Sequence, residues 1–573
     1  MKKKWKILDK APNKFFSQFP EIDPIVLQLL YNRELKTQKD IDGFLNLDYG
    51  EDQHDPFLFK DMKKASKRIF KALEKKEKVA IYGDYDADGV TSTAIIYNVL
   101  TELGFKNIEV YIPYRMTEGY GINEKAVKEF VDKNIDLMIT VDCGIANKEE
   151  IALANKKGID VIITDHHHEP LNPPDKAFAI INPKVKEEKY PFKDLAGVGV
   201  AFKLAQALIK ESRKKGLDIP RGYEKWLLDL VAIGTVTDCV GLIGENRTLV
   251  RYGLVVLNKT KKIGLRKLIK KSRLNLGELE AWNIAFQLGP RLNAAGRLDH
   301  ASTSFKLLIT GDNQEAEEIV EGLEKTNKER QKITEKMVGE AKEQIDEKKA
   351  KGSIISVLGQ DWSAGLIGLV AGRLCDQFYR PIIVLSQSEN EVIASGRSIP
   401  EFDIIEAVEK LRKHLKDYGG HAAACGFTLK ARDRLDEFNK ELLILGEERL
   451  KDLDLFPKIV IEKKVKLEEI THDLLHELEE FKPFGQGNKK PLFLLENLTV
   501  VNFDLVGKNT NHLRLMVKQD DHTVRKCIGF YQQELAKNLK NGQKIDLVCE
   551  VSFNEWNGTK EIQLKIIDLK IKK

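Results

Sequence analysis

The sequence has 573 residues, 42% hydrophobic and 32% charged, with 93 Lys and Arg against 88 Asp and Glu for a net charge of +5. At about 100–200 residues per domain this length calls for about three to five compact units; the composition excludes a disordered or fibrous chain, and the near-balanced charge neither demands nor forbids a nucleic-acid partner. No run approaches the roughly 18 unbroken apolar residues of a membrane span, and the six cysteines (Cys143, Cys239, Cys375, Cys425, Cys527 and Cys549) form no C-x-x-C pair, so a cytoplasmic protein with no disulfide framework, zinc ribbon or membrane partner is expected.

In chain order, residues 1–75 read as helices and turns packed on the domain that follows. From Val79, short apolar runs at 79–82, 137–141, 161–163 and 177–181 alternate with helical stretches at 91–103, 123–133 and 148–157. This β-α-β-α order predicts a parallel, doubly wound sheet in a domain spanning 76–311, with its ligands outside the carboxyl ends of the strands. Residues 240–310 read as mostly helical and contain Gly289-Pro290-Arg291-Leu292-Asn293-Ala294-Ala295-Gly296-Arg297. Apolar residues then recur at helical spacing from Asn313 to about Lys348, which predicts one spacer helix within 312–350 unless Gly322 or Gly339 breaks it in two. A second α/β unit is expected over 351–445, with strands at 353–358 and 382–385 and a helix at 365–378, closing on Tyr418-Gly419-Gly420-His421-Ala422-Ala423-Ala424. Residues 455–573 turn strand-rich, at 458–462, 492–506, 513–517, 524–530, 544–553 and 561–571, with a short helix at 532–539 and a hairpin turn at Asn557-Gly558. That pattern suggests a small β-barrel of the OB type.

Three strands of the first sheet end directly in polar clusters: Asp84-Tyr85-Asp86-Ala87-Asp88-Gly89, Asp142-Cys143-Gly144 and Asp165-His166-His167-His168. Asp84 and Asp86 stand two apart, so on an extended segment both carboxylates face one pocket, with Gly83 and Gly89 supplying turn freedom. Asp238 follows a helix-like run and Thr237. A lone Asp after a strand is more often a helix cap than a ligand; the ends converging on one side of the sheet favour the ligand reading. Carboxylates gathered with an imidazole need a compensating cation, and mixed carboxylate–imidazole ligation without cysteine suits Mn²⁺, or Mg²⁺, better than Zn²⁺. Two such ions would activate water and clamp a phosphoryl oxygen.

These residues, with Gly396-Arg397-Ser398, Gly419-Gly420-His421-Ala422-Ala423 and Phe484-Gly485-Gln486-Gly487-Asn488, resemble the DHH phosphoesterase superfamily and within it the RecJ family, in order over nearly the whole chain. The resemblance implies DHH and DHHA1 α/β domains joined by the spacer helix and followed by an OB domain. It implies Asp84 and Asp142 as ligands of one ion and Asp86, Asp142, His166 and Asp238 as ligands of a second, with Asp142 bridging. His167 would contact the scissile phosphate or assist proton transfer, and Asp88, in the family's acidic loop, joins the catalytic set. Ala80 stands where many members carry a histidine, which leaves one ion with fewer protein ligands.

Arg115, Arg291 and Arg297 could grip phosphates bidentately, and the resemblance suggests that some of them hold a terminal 5′ phosphate. Arg397, Ser398 and His421 belong to the DHHA1-like motif and complete the expected DNA-binding set with Trp556. Among the barrel aromatics Phe503, Phe530, Tyr531, Phe553 and Trp556, Trp556 beside the turn is the best candidate for stacking on bases. The expected activity is 5′→3′ hydrolysis of single-stranded DNA in repair and recombination, with single-strand-binding protein and a helicase as partners. Its rivals are a DHH oligoribonuclease or cyclic-dinucleotide phosphodiesterase, and a non-catalytic DHH replication scaffold.

Overall fold

A computed structural model of the protein describes residues 3–389, 391–519, 523–556 and 559–572. They divide into two compact units: Gln53–Phe456, and the described parts of Lys2–Asp52 with Pro457–Lys573.

The first unit opens on a five-stranded sheet of β1 (Val79–Gly83), β2 (Ile108–Tyr111), β3 (Leu137–Val141), β4 (Asp160–Thr164) and β5 (Ala179–Ile181), all parallel in the order β2-β1-β3-β4-β5. Every residue of β1 and β3 is buried, as strands covered on both faces require. The chain leaves β1 for β2 on one side and returns to β3 on the other. The crevice between the carboxyl ends of β1 and β3 is therefore the topological switch point where ligands of such sheets bind. β2, absent from the sequence reading, is a half-buried edge strand whose Ile-Glu-Val-Tyr sequence offers no continuous apolar run.

Helix α1 (Ala87–Glu102) is buried over most of its length and packs against α2 (Gly197–Lys214) and α3 (Leu228–Thr237). A five-residue π-helical segment, Ile284–Leu288, leads into α4 (Gly289–Leu298). The spacer is one continuous helix, α5 (Asn313–Glu343), so neither Gly322 nor Gly339 breaks it, but at 31 residues it stops short of the expected Lys348. Both glycines face open space, where the missing side chain costs no packing. Ala316, Val320 and Leu323 are buried in the first half of α5, and Met337, Val338 and Ala341 in the second half join the core of the following domain.

That domain carries a five-stranded mixed sheet of β6 (Ile355–Gln360), β7 (Ile382–Gln387), β8 (Val392–Arg397), β9 (Leu415–His421) and β10 (Ala424–Leu429), in the order β9-β10-β8-β7-β6, with α6 (Ala364–Phe378) packed on it. Only β6 and β7 pair in parallel.

In the second unit, Phe493–Val506, His512–Lys518, Val524–Gly529, Thr559–Ile571 and Lys544–Trp556 pair in turn, and the last returns to pair with the first, closing a five-stranded barrel. The N-terminal expectation is corrected here. Lys4–Ile7 is a strand paired in parallel with Lys458–Ile461, and residues 3–52 belong to this unit, not to the catalytic domain. Ile25, Val26, Leu29, Leu30 and Ile41 enter one core with Leu474, Phe481, Leu495 and Leu547. Arg33 seals the junction with an ion pair to Glu462 at 2.7 Å and a bond to Asn488 Oδ1 at 3.1 Å. Asn488, 1% exposed, also donates to the carbonyls of Phe481 and Pro483. The Phe484–Asn488 motif thus ties the N-terminal helices to the barrel unit. Among the described residues, no helix is long and apolar enough to cross a membrane.

Candidate metal centre

Each strand end delivers its side chain by a separate local device. Asp84 follows β1, and Asp86 caps α1, its Oδ1 accepting from the N–H groups of Asp88 at 2.9 Å and Gly89 at 3.0 Å. Gly83 and Gly89 serve close packing, not turn freedom: an added Cβ would lie 2.0 Å from Thr93 Oγ1 and 2.6 Å from Asp84, respectively, and neither has a positive φ. Asp142 leaves β3 in the left-handed region (φ 61°), held by its N–H to Thr164 O at 2.9 Å. His166 follows β4, and Asp238 ends α3.

Ligand atoms of Asp84, Asp86 and Asp142 lie within 4.8 Å of one another, as do those of Asp142, His166 and His167, and those of Asp88, His166 and Asp238. Asp142 is common to the first two groups. Asp86 falls with Asp84 and Asp142 and also acts on the Asp238 carboxyl; the resemblance groups it with Asp142, His166 and Asp238. Among the described residues, Asp84 Oδ1, Asp142 Oδ1, Asp238 Oδ2 and both ring nitrogens of His166 are buried without a hydrogen-bond partner. His166 Nε2 stands 3.2 Å from Asp142 Oδ1 and 3.7 Å from Asp238 Oδ2. Burial first, then Asp86, pushes the Asp84 carboxyl well above the usual carboxylate range. Burial, then Asp86 and Asp84, does the same to Asp142, and burial raises Asp238 against the pull of His166. Buried acceptors that repel one another and lack donors fit a divalent cation, and their oxygen-plus-imidazole chemistry fits Mn²⁺ or Mg²⁺.

Two residues of the catalytic expectation, His167 and Asp88, are held firmly. The fully buried Asp165 accepts from the N–H groups of His166 at 2.7 Å and Ile145 at 2.9 Å, and its Oδ1 lies 2.8 Å from His167 Nδ1. Burial opposes its ionisation, but the bonds from His167 and Ile145 outweigh that and hold its pKa below the usual value. Tyr120 Oη sits 3.0 Å from the same Nδ1 and 3.2 Å from the Asp142 carbonyl. His167 is thus fixed by Nδ1 and presents Nε2. Asp88 spends both carboxylate oxygens on the N–H groups of Gly197 and Val198, each at 2.8 Å, so it anchors the N-terminus of α2 beside the ligands. Tyr120 went unnoticed in the sequence; its signal is the Gly119-Tyr120-Gly121 context, where both glycines have positive φ.

The Gly289–Arg297 segment, read from sequence as a phosphate grip, is mainly a brace. A Cβ on Gly289 would stand 2.4 Å from Thr237 Cγ2 and one on Gly296 2.3 Å from Tyr85 O, while Asn293 Oδ1 accepts from Ala87 N–H at 2.7 Å. α4 therefore lies directly on the loops that carry Asp84, Asp86 and Asp238. Arg291 donates to Glu324 of α5 at 2.8 Å and to Gln287 O, and, in addition to burial, it lies close enough to Arg330 to lower that residue's pKa. Arg297 donates to Gly365 O at 2.9 Å at the start of α6, and its pKa is pushed down to about 9 by burial and then by Arg115, Arg330 and, more weakly, Arg397. The expected Arg115, Arg297 and Arg397 thus gather in one cationic cluster, which α5 extends with Arg330, a residue the sequence reading missed. Arg115 stacks on Tyr85 with its guanidinium carbon 4.8 Å from the ring centroid. Ser398 Oγ donates to Phe402 O at 2.6 Å, and His421 lies exposed at the end of β9, its Nδ1 accepting from Ala423 N–H. The Trp556 side chain and the Asn557-Gly558 turn lie outside the described residues.

This fold and this centre define a metal-dependent phosphoesterase built from DHH and DHHA1 domains. Family models match in the same order: DHH family, N-terminal domain, over residues 78–235; DHHA1 domain over 350–444; RecJ OB domain over 461–568. The single-stranded-DNA-specific exonuclease RecJ of Bacillus subtilis is 40% identical over 571 residues, covering 99% of this chain and 71% of that protein. The protein of that name from Dickeya dadantii is 32% identical, covering 96% of each chain. The crystal structure of RecJ from Thermus thermophilus in complex with Mn²⁺ superposes with a TM-score of 0.82 at 27% identity, over 99% of this chain and 79% of that one. The structure of the same protein with Mg²⁺ gives 0.75 at 26% identity, over 99% and 78%. The chain belongs to the RecJ family.

Proposed function

We propose that the chain hydrolyses single-stranded DNA from the 5′ end, releasing nucleotides, with two divalent ions, Mn²⁺ or Mg²⁺, held by Asp84, Asp86, Asp142, His166 and Asp238. The observation that carries this reading is the set of buried, unpartnered ligand atoms at the switch point, in a chain whose relatives are named for single-strand-specific exonuclease activity. Divalent ions bound there supply polarisation of a phosphoryl oxygen and acidification of water.

The chain's own residues do the rest. Asp142, shared by two ligand groups, would help to hold both ions. His167, oriented by Asp165 and Tyr120 through Nδ1, turns Nε2 towards the scissile phosphate or the leaving oxygen. In the cluster of Arg115, Arg297, Arg330 and Arg397 the cations around Arg297 repel it with Asp86 opposing them, and this cluster receives the terminal phosphate. Arg115, lying on Tyr85 between two of the ligands, brings that phosphate next to the metal loop. The role belongs to DNA repair and recombination in the cytoplasm, alongside single-strand-binding protein and a helicase.

A long single strand labelled at either end, incubated with Mn²⁺ beside its duplex and an Asp86→Ala control, tests this reading. Early release of the 5′ label, on single strand only and absent in the control, supports it. First release of the 3′ label, or cleavage confined to oligonucleotides of a few residues, overturns it.

A further inference from the structure

A second cluster of metal-ligand side chains lies in the DHHA1 domain, on elements that carry none of the ligands described above. His414 ends the short turn Arg412–His414 that leads into β9, and Glu437 and Glu441 stand one turn apart on helix Leu435–Leu450, sharing a face. One ligand atom from each of the three lies within 4.8 Å of the other two. The His414 side chain is 1% exposed, with Nε2 3.3 Å from Glu441 Oε2 and Nδ1 3.9 Å from Glu437 Oε2. Nδ1 has no hydrogen-bond partner among the described residues. A buried ring nitrogen that faces a carboxylate from beyond bonding distance is an unmet demand.

The competing arrangement is an imidazole held between two carboxylates and neutralised from outside, since Lys413 pairs with Glu441 at 2.6 Å and Arg434 with Glu437 at 3.2 Å. It leaves Nδ1 unsatisfied, and both cations are more than half exposed, so either swings into water at little cost. One imidazole nitrogen with two carboxylate oxygens is a donor set that a divalent cation accepts, and Zn²⁺, which stands above Mn²⁺ in the general affinity order of such ligands, is the probe that reports it. Ligand atoms around a tetrahedral ion with bonds of about 2.0–2.1 Å sit about 3.4 Å apart. To reach that spacing Glu437 and Glu441, 52% and 30% exposed, would rotate towards the ring.

We propose that His414, Glu437 and Glu441 form a divalent-cation site separate from the centre on the parallel sheet. An ion there fastens the turn before β9 to helix Leu435–Leu450 and steadies the exposed edge strand that ends at His421. The inference stands independently of the proposed reaction.

The test counts Zn²⁺ retained by the full chain after dialysis, and follows Co²⁺ absorption, in the wild type, His414→Asn and the double variant Glu437→Gln/Glu441→Gln. The expected result is one Zn²⁺ equivalent fewer in both variants, loss of one component of the Co²⁺ spectrum, a smaller Zn²⁺-induced rise in Tm, and unchanged Mn²⁺-dependent DNA degradation. If His414→Asn fails to fold, the double variant carries the test, because Glu437 and Glu441 are 52% and 30% exposed. A Zn²⁺ count equal to that of the wild type in the double variant overturns the proposal.

Discussion

Asp142 and Asp165 are both buried at the carboxyl edge of the same sheet, yet only Asp165 is supplied with hydrogen-bond donors. That contrast separates positioning from ligation. Asp165→Asn should cost about 10–100-fold in activity, the usual effect of losing a group that orients a catalytic or ligand histidine; steady-state DNA degradation checks it, with Mn²⁺ affinity moving far less. The raised carboxyls make a second prediction. In the ion-free fold Asp84 and Asp142 keep protons at pH values where the unfolded chain, with carboxyls near about 3.9, has released them. The folded state then binds the extra protons, so stability falls as pH rises above about 4 through the raised range. A bound cation replaces those protons. The rise in Tm on adding Mn²⁺ to an EDTA-treated sample should therefore be larger at pH 8 than at pH 5.5, and equal increments would contradict the assignment. At the arginine cluster, Arg115→Ala or Arg397→Ala should narrow the rate difference between 5′-phosphorylated and 5′-hydroxyl strands, read with matched oligonucleotides. Arg291→Ala, which breaks an ion pair to α5, should lower stability and leave that ratio unchanged. At this scale the sequence disclosed the ligand candidates because acidic and histidine residues crowd strand ends, where chemistry is easier to recognise than packing. It could not disclose that Arg291 faces Glu324, that Arg330 joins the cluster, or that Asn293 and Gly296 brace the metal loop, because each depends on a neighbour remote in the chain.

Among the elements, α5 is the clearest case of a pattern legible in advance, since apolar spacing outweighed two glycines. Gly322→Ala and Gly339→Ala, at exposed positions with nothing within 4 Å of the added carbon, should each stabilise by about 0.5–1 kcal/mol in chemical denaturation. Gly296→Ala is the opposite case: its Cβ would sit 2.3 Å from Tyr85 O, which should cost about 1–3 kcal/mol and weaken Mn²⁺ binding by displacing the Asp84–Asp86 loop. Buried strands such as β1 and β3 announce themselves as continuous apolar runs. β2, β8 and β9 did not, because polar residues interrupt these half-buried or exposed strands, Glu in β2 and Gly, Ser, Asp or Lys in the other two, and only pairing partners elsewhere define them.

For the whole molecule, the order of domains was readable, whereas the placement of the N-terminus was not. The described residues of 3–52 and 457–572 share one core although hundreds of residues separate them, and the sequence offers only two amphipathic stretches with no record of which face meets which. A fragment ending at Phe456 but retaining residues 2–52 should bind hydrophobic dyes and aggregate, whereas Gln53–Phe456 should stay monodisperse by light scattering. The measurement that bears most directly on the account joins folding to function in one variant, Asp142→Asn, because Asn also tolerates the left-handed backbone there. Mn²⁺ calorimetry, Tm in EDTA at pH 8 and single-strand degradation would be run on the same preparation. The account predicts Mn²⁺ affinity lower by about 100-fold or more, degradation abolished, and a Tm in EDTA at least equal to that of the wild type, since a buried, unpartnered charge has been removed. A lower Tm in EDTA with Mn²⁺ affinity intact would make Asp142 a structural acid and contradict the assignment of the centre.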